Sequence, residues 1–194
     1  MNIDDMSEKL REKLSRKRYK HTMGVLEMAR RLAERYGADV SKVELSALLH
    51  DCGKDMDSRE LLEYARSNRV ELDDIESKQL ELAHGVIGAH LARAEFGVDD
   101  DEVLSAIRFH TTGKTDMTLV EKIVYLADFI EEGRKYPGVQ LLRELSFEDL
   151  DSAILLSFDN TIKHVISQKK ILHTRTVEAR NFILEQMENM RGAN

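Results

Sequence analysis

A single proline, Pro137, punctuates 194 residues, and its scarcity narrows the choice of folds at once. Proline removes a backbone donor and clashes with the preceding turn, so a chain nearly free of it can run in long helices. Apolar residues recur at three- and four-residue spacings nearly throughout, without sustained two-residue alternation. The expected fold is therefore all-α, a helical bundle with a buried centre. Helices are predicted near residues 6–36, 42–51, 58–67, 77–96, 100–111, 119–132, 147–169 and 175–190. Ser41-Lys-Val-Glu44, Asp57-Ser-Arg-Glu60 and Thr118-Leu-Val-Glu121 read as capping boxes that satisfy the first free N–H groups of three of them. Gly37, Gly97 and Gly133 fit helix ends. No repeat, low-complexity tract or Gly/Ser linker divides the chain, so one domain over residues 1–194 is expected.

Composition bounds the function. Hydrophobic residues at 42% and charged residues at 34% describe a water-soluble globular protein. No apolar run approaches the roughly 18 residues of a spanning helix. The first residues are charged and lack the apolar core of a secretory signal, so a cytoplasmic address is expected. Cys52 is the only cysteine, which rules out an internal disulfide and a multi-thiolate zinc site; a metal here must use imidazole and carboxylate. Lysine and arginine total 29 against 36 acidic residues, a net charge of -7, so no basic field serves nucleic acid. The expected partner is a small molecule, with neither nucleic acid nor membrane involved. An anionic one would need the local cations Arg18, Lys54, Arg134 and Arg175.

Several polar residues fall on apolar helical stripes. His21 shares a face with Val25, Met28 and Leu32, and Asp128 with Val120, Val124 and Ala127. His50-Asp51 ends the run Leu45-Ser-Ala-Leu-Leu just before a turn at Gly53. There a metal over the helix end could be reached by both side chains. His84 heads a face with Ile87, Gly88 and Leu91, and His110 closes one with Val103 and Ile107. Any one of these histidines could be a hydrogen-bonded core residue, and a buried carboxylate could be satisfied by an arginine. Six inward acid or imidazole groups on five helices would nevertheless make a poor core without a cation among them. His90 and His164 read as structural or exposed, His173 as intermediate, Cys52 as a packing residue and Glu131-Glu132 as a solvated helix end.

The pattern His21, His50-Asp51, Asp128 resembles the HD superfamily of metal-dependent phosphohydrolases. A narrower resemblance rests on Arg18-Tyr-Lys-His21, Leu49-His-Asp-Cys-Gly-Lys54, Ala83-His-Gly85, Arg108-Phe-His-Thr-Thr-Gly113, Leu126-Ala-Asp-Phe-Ile-Glu-Glu-Gly-Arg134 and His173-Thr-Arg-Thr-Val-Glu-Ala-Arg-Asn181. Together these look like the YqeK family of bacterial hydrolases that split diadenosine tetraphosphate symmetrically. One departure is Thr174, where the family often has proline. The resemblance implies a divalent or dinuclear metal held by His21, His50, Asp51 and Asp128. Iron is the expected metal, with manganese, cobalt and zinc as alternatives. It implies catalytic roles for Asp51, His84, His110 and Lys54, with His84 and His110 meeting substrate phosphate or a second metal. Independently of the resemblance, Lys54, Arg18 and a protonated His84 or His110 are cationic groups that could stabilise the charge spread over the transition state. Arg18, His21, Asp51, His84, His110, Asp128, Arg134 and the loop Lys170, Ile171, Leu172, His173, Thr174 and Arg175 would contact the dinucleoside polyphosphate. A homodimer is an alternative to a monomer. Competing readings are another HD-type nucleotide phosphohydrolase and a nucleotide sensor without turnover.

Overall fold

The computed structural model describes residues 2–192, apart from the side chains of 191 and 192, and among them only helices and turns occur. The elements are α1 (Ile3–Lys13), α2 (Arg16–Tyr36), α3 (Val40–Leu49), α4 (Ser58–Asn68), α5 (Ala83–Phe96), α6 (Asp101–Phe109), α7 (Leu119–Ile130), α8 (Val139–Glu148), α9 (Leu150–Ser167) and α10 (Thr174–Gly192). The long α2 packs on α3 and α7, α6 joins α3, α5 and α7, and α9 lies between α8 and α10. Tyr125, Phe158, Met28, Leu32, Ile107 and Ile123 are fully buried where these helices meet. All apolar partners named for the polar stripes are buried too, so the 3.6-residue period brings the candidate ligands to the inner face.

The boundaries depart from the sequence reading where a side chain finds a local backbone partner. The expected helix over 6–36 breaks after Lys13. Leu14 is extended, and Ser15 caps α2 by accepting from Arg18 N–H while its own N–H donates to Asp55. The expected helix over 147–169 begins only at Leu150, because Asp149 ends a preceding helix and its carboxylate accepts from Ser152 N–H at the start of α9; that preceding helix, α8, was not expected from the sequence. The expected helix from 77 begins only at Ala83: residues 77–82 form turns, and Asp73 accepts from the N–H groups of Ile75 and Glu76 upstream.

The boxes at Asp57 and Thr118 form, but the one at Ser41 does not. Asp39 caps α3, and Glu44 pairs with Arg30 instead. Gly37 and Gly97 end their helices in the left-handed conformation that glycine adopts without a Cβ clash. Gly133 lies beyond the end of α7, which Arg143 closes by donating to the carbonyls of Ile130 and Glu131 at 2.7 Å. Thr174 occupies the first position of α10, a place that proline also tolerates, so the departure there is compatible with the loop.

Candidate metal centre

The His50-Asp51 pair sits where α3 gives way to a tight turn. Asp51, almost fully buried, is the hub. Its Oδ2 lies 3.4 Å from His50 Nε2 and 3.7 Å from His21 Nε2, and its Oδ1 lies 3.3 Å from His84 Nε2 and 3.5 Å from His110 Nε2. Each oxygen therefore faces its own pair of imidazoles. Asp128, from α7, completes the first pair, with Oδ1 2.9 Å from His21 Nε2. The six residues read from the sequence as inward-facing thus meet at one place.

Hydrogen bonding fixes which nitrogen each ring presents. His50, His84 and His110 each place Nδ1 2.6–2.7 Å from the carbonyl three residues back, of Ala47, Glu81 and Ile107. A carbonyl only accepts, so each Nδ1 carries the proton and each Nε2 turns a lone pair inward. His50 Nε2 is buried without a hydrogen-bond partner, and the Nε2 atoms of His84 and His110 stand 3.0 Å apart. Converging lone pairs repel unless a cation lies among them. Imidazole and carboxylate are suitable donors to zinc, iron, manganese or cobalt, so the residues fit a metal. His21, His50 and Asp51 form one close ligand set, and Asp51, His84 and His110 another, so the carboxylate of Asp51 belongs to both.

Electrostatics agree. Burial disfavours charge on Asp128 and Asp51, but the surrounding histidines and, for Asp128, the Arg134 guanidinium overcome it, and both carboxyls are held well below their ordinary range. Burial also opposes protonation of His50, yet Asp51 and Asp128 outweigh it and raise its pKa: negative potential here stabilises a cation. His84 goes the other way. Burial, helped by His110 and Lys54, pushes it down to about 4 despite its contact with Asp51. The expectation of a protonated His84 is thus corrected: it is neutral near pH 7, because no water shell supports its charge.

Cations stand at the edge. Arg18 donates to Asp51 Oδ2 at 2.6 Å, and Arg134 donates to the Asp128 carboxylate and, at 2.7 Å, to its carbonyl. Lys54 Nζ lies 3.3–3.4 Å from the ring nitrogens of His84, and its pKa is lowered, by burial first. Beside it a cavity of about 290 Å³ opens, lined by apolar Met56, Leu61 and Leu80 and by polar Asp57, Ser58, Glu81 and His84.

The loop from 170 to 175 is tied to the segment before α5. Lys170 reaches Glu81 at 2.8 Å, on the rim of that cavity, and His173 Nε2 donates to Asp73 at 2.9 Å. Arg175 donates to Asp73 and lies over the Phe109 ring. Ile171 and Thr174 are exposed, and Leu172 is half-buried. His90 bonds Tyr64 and His164 is exposed, as read from the sequence.

Glu131 was misread as solvated. It is buried, and its Oε1 lies 3.1 Å from His21 Nδ1, whereas Glu132 is exposed. The missed signal was nearness: Glu131 caps α7 only three residues beyond Asp128.

A helical cradle that gathers His, His-Asp and Asp from separate helices defines an HD-type metal site. The HD domain family matches residues 18–133, which include all four of those positions. The chain is 41% identical to "Bis(5'-nucleosyl)-tetraphosphatase, symmetrical" of Halalkalibacterium halodurans over 96% of its own length and 100% of the relative's. It is 35% identical to the protein of that name from Bacillus subtilis, over 95% and 98% of the two chains. A Clostridium acetobutylicum crystal structure, described as a predicted HD superfamily hydrolase involved in NAD metabolism, superposes with a TM-score of 0.92 at 44% identity, covering 96% of this chain and 98% of that one. The chain belongs to the HD domain family and, within it, to the family of symmetrical bis(5'-nucleosyl)-tetraphosphatases.

Proposed function

We propose that this protein hydrolyses diadenosine tetraphosphate symmetrically to two ADP, with a divalent metal, iron by preference, held by His21, His50, Asp51 and Asp128. The observation that carries the reading is the surplus of lone pairs around Asp51, flanked by arginines: the interior calls for a cation, and the edge suits a polyanion. The name shared by relatives that match nearly end to end selects the substrate. The metal, when bound, supplies Lewis-acid polarisation of a phosphoryl oxygen and acidifies water.

The chain's own residues supply position and charge. Arg18 and Arg134 are partly exposed and meet phosphate oxygens while keeping Asp51 and Asp128 in place. Lys54 neutralises charge that spreads over the equatorial oxygens, a task His84 cannot perform as a neutral ring. His84 and His110 present Nε2 to the substrate or bind a second metal. The loop from Lys170 to Arg175 reaches the rim of the cavity beside Lys54, where one nucleoside half lodges, and this grip sets the β-phosphate at the centre.

The test is to incubate metal-loaded protein with diadenosine tetraphosphate in heavy-oxygen water and resolve the products by chromatography and mass spectrometry. Two ADP are expected, with label in one of each pair. ATP and AMP would reject the placement of the substrate, and orthophosphate would reject symmetrical cleavage in favour of a broader nucleotide phosphatase.

A further inference from the structure

We propose that Glu131 is a positioning residue that orients His21 toward the metal, and that Gly24 and Gly133 are the space that admits it. This rests on the metal-centre reading above.

His21 differs from the other three imidazoles in where it stands. His50 and His110 follow the last residues of α3 and α6, and their Nδ1 protons go to carbonyls of the final turn, which lack a partner within the helix. His84 uses the carbonyl of Glu81, which precedes α5. His21 is inside α2, where nearby carbonyls are already taken by the helix. Its Nδ1 needs a side-chain acceptor, and Glu131 Oε1 is there at 3.1 Å. With that proton held, Nε2 turns toward Asp128 and Asp51.

The carboxylate is seated with little freedom. Gly133 N–H donates to Oε2. A Cβ on Gly24 would lie 2.6 Å from Oε2, and one on Gly133 2.9 Å from both carboxylate oxygens. Gly24 has ordinary helical geometry within α2, so no backbone strain calls for glycine there; the close approach of Glu131 does. Histidine ligands depend on such partners for orientation and basicity, and losing one weakens metal binding about 10–100-fold.

The experiment measures Mn(II) dissociation constants by calorimetry for the full-length protein and its Glu131→Gln, Glu131→Ala, Gly24→Ala, Glu131→Ala/Gly24→Ala and His50→Ala variants. Glu131→Ala and Gly24→Ala should each weaken binding about 10–100-fold. Glu131→Gln keeps an acceptor oxygen and should stay within a few-fold of the wild type. In the double variant the new methyl meets no carboxylate, so Gly24→Ala should add no further loss. Binding kept in Glu131→Ala but lost in His50→Ala overturns this inference alone. So does a Gly24→Ala penalty that persists without Glu131. A wild-type protein that binds no Mn(II), or a His50→Ala variant that binds as well as wild type, overturns the metal-centre reading and this inference with it.

Discussion

Asp73, Glu76 and His173 gather as closely as the groups around Asp51, for in both places potential ligand atoms lie within 4.8 Å of one another. Their hydrogen bonding is opposite. Around Asp51 the Nε2 atoms of the histidines face carboxylates as lone pairs, and His50 Nε2 has no hydrogen-bond partner. Around Asp73 each acceptor has a donor: His173 Nε2 and Arg175 donate to Asp73, Arg175 N–H donates to His173 Nδ1, and Arg175 also reaches Glu76. Guanidinium groups serve both places, Arg175 here and Arg18 and Arg134 at the other, but His173 is satisfied at both nitrogens whereas His50 is not. Ligand type and proximity are thus insufficient to mark a metal site; an unbalanced count of donors and acceptors in a buried place is what calls for an ion.

The largest expected effect tests that contrast directly. Asp51→Ala or His50→Ala should remove stoichiometric metal, measured by elemental analysis, and reduce turnover by about a thousandfold or more, the scale of losing a group that stabilises transition-state charge. His173→Ala should retain the metal. Metal lost from His173→Ala, or kept in both of the others, would erase the distinction between the clusters.

The clusters should also fail in different pH windows. His84 has its pKa depressed from 6.5 to about 4, so its contribution is complete above pH 6.5 and is lost as pH falls toward 4. Linkage makes this of the order of 3 kcal/mol. His50, with a raised pKa, contributes fully below 6.5 and does not alter that window. Asp73 is held below its ordinary value despite slight burial, by N–H donors and His173, so its share is present above about pH 4 and is lost only below it. Its exposure keeps that share below about 1 kcal/mol. Denaturant unfolding at pH 6.5 and 4.5 should show most of the loss in wild type and little in His84→Gln. Equal slopes in the two proteins would remove His84 as the cause.

The smallest effect concerns the loop. Asp73→Asn weakens the hold on His173 and Arg175, so KM for the dinucleotide should rise about fivefold, equivalent to roughly 1 kcal/mol, with kcat and metal content unchanged. A fall in kcat with KM intact would mean that the clamp acts on the chemistry rather than on substrate grip.

Periodicity exposed most of the helices, though not α8, and the inward faces of His21, Asp128, His84 and His110, because a helical stripe is a local property. It could not show the breaks at Ser15 and Asp149, where a side chain caps one helix inside an apparently continuous pattern. Nor could it show that Glu131 reaches His21, 110 residues away, or that Arg175 belongs to Asp73, since those pairings depend on how α7 and α10 dock. The state of His84 was also out of reach: its charge is decided by burial, which one residue type and its spacing do not encode.

Cys52 immediately follows Asp51, yet its sulfur is turned away toward the carbonyl of Gly88 at 3.4 Å, and burial pushes the thiol up to about 12. Alkylating reagents attack thiolate, so this cysteine stays silent at neutral pH. As the chain's only cysteine, it leaves a blank background for site-directed labelling. An Ile171→Cys variant, at an exposed position, would carry a fluorophore or spin label on the loop alone, giving a direct optical or magnetic report on its surroundings without first having to remove the native thiol beside Asp51.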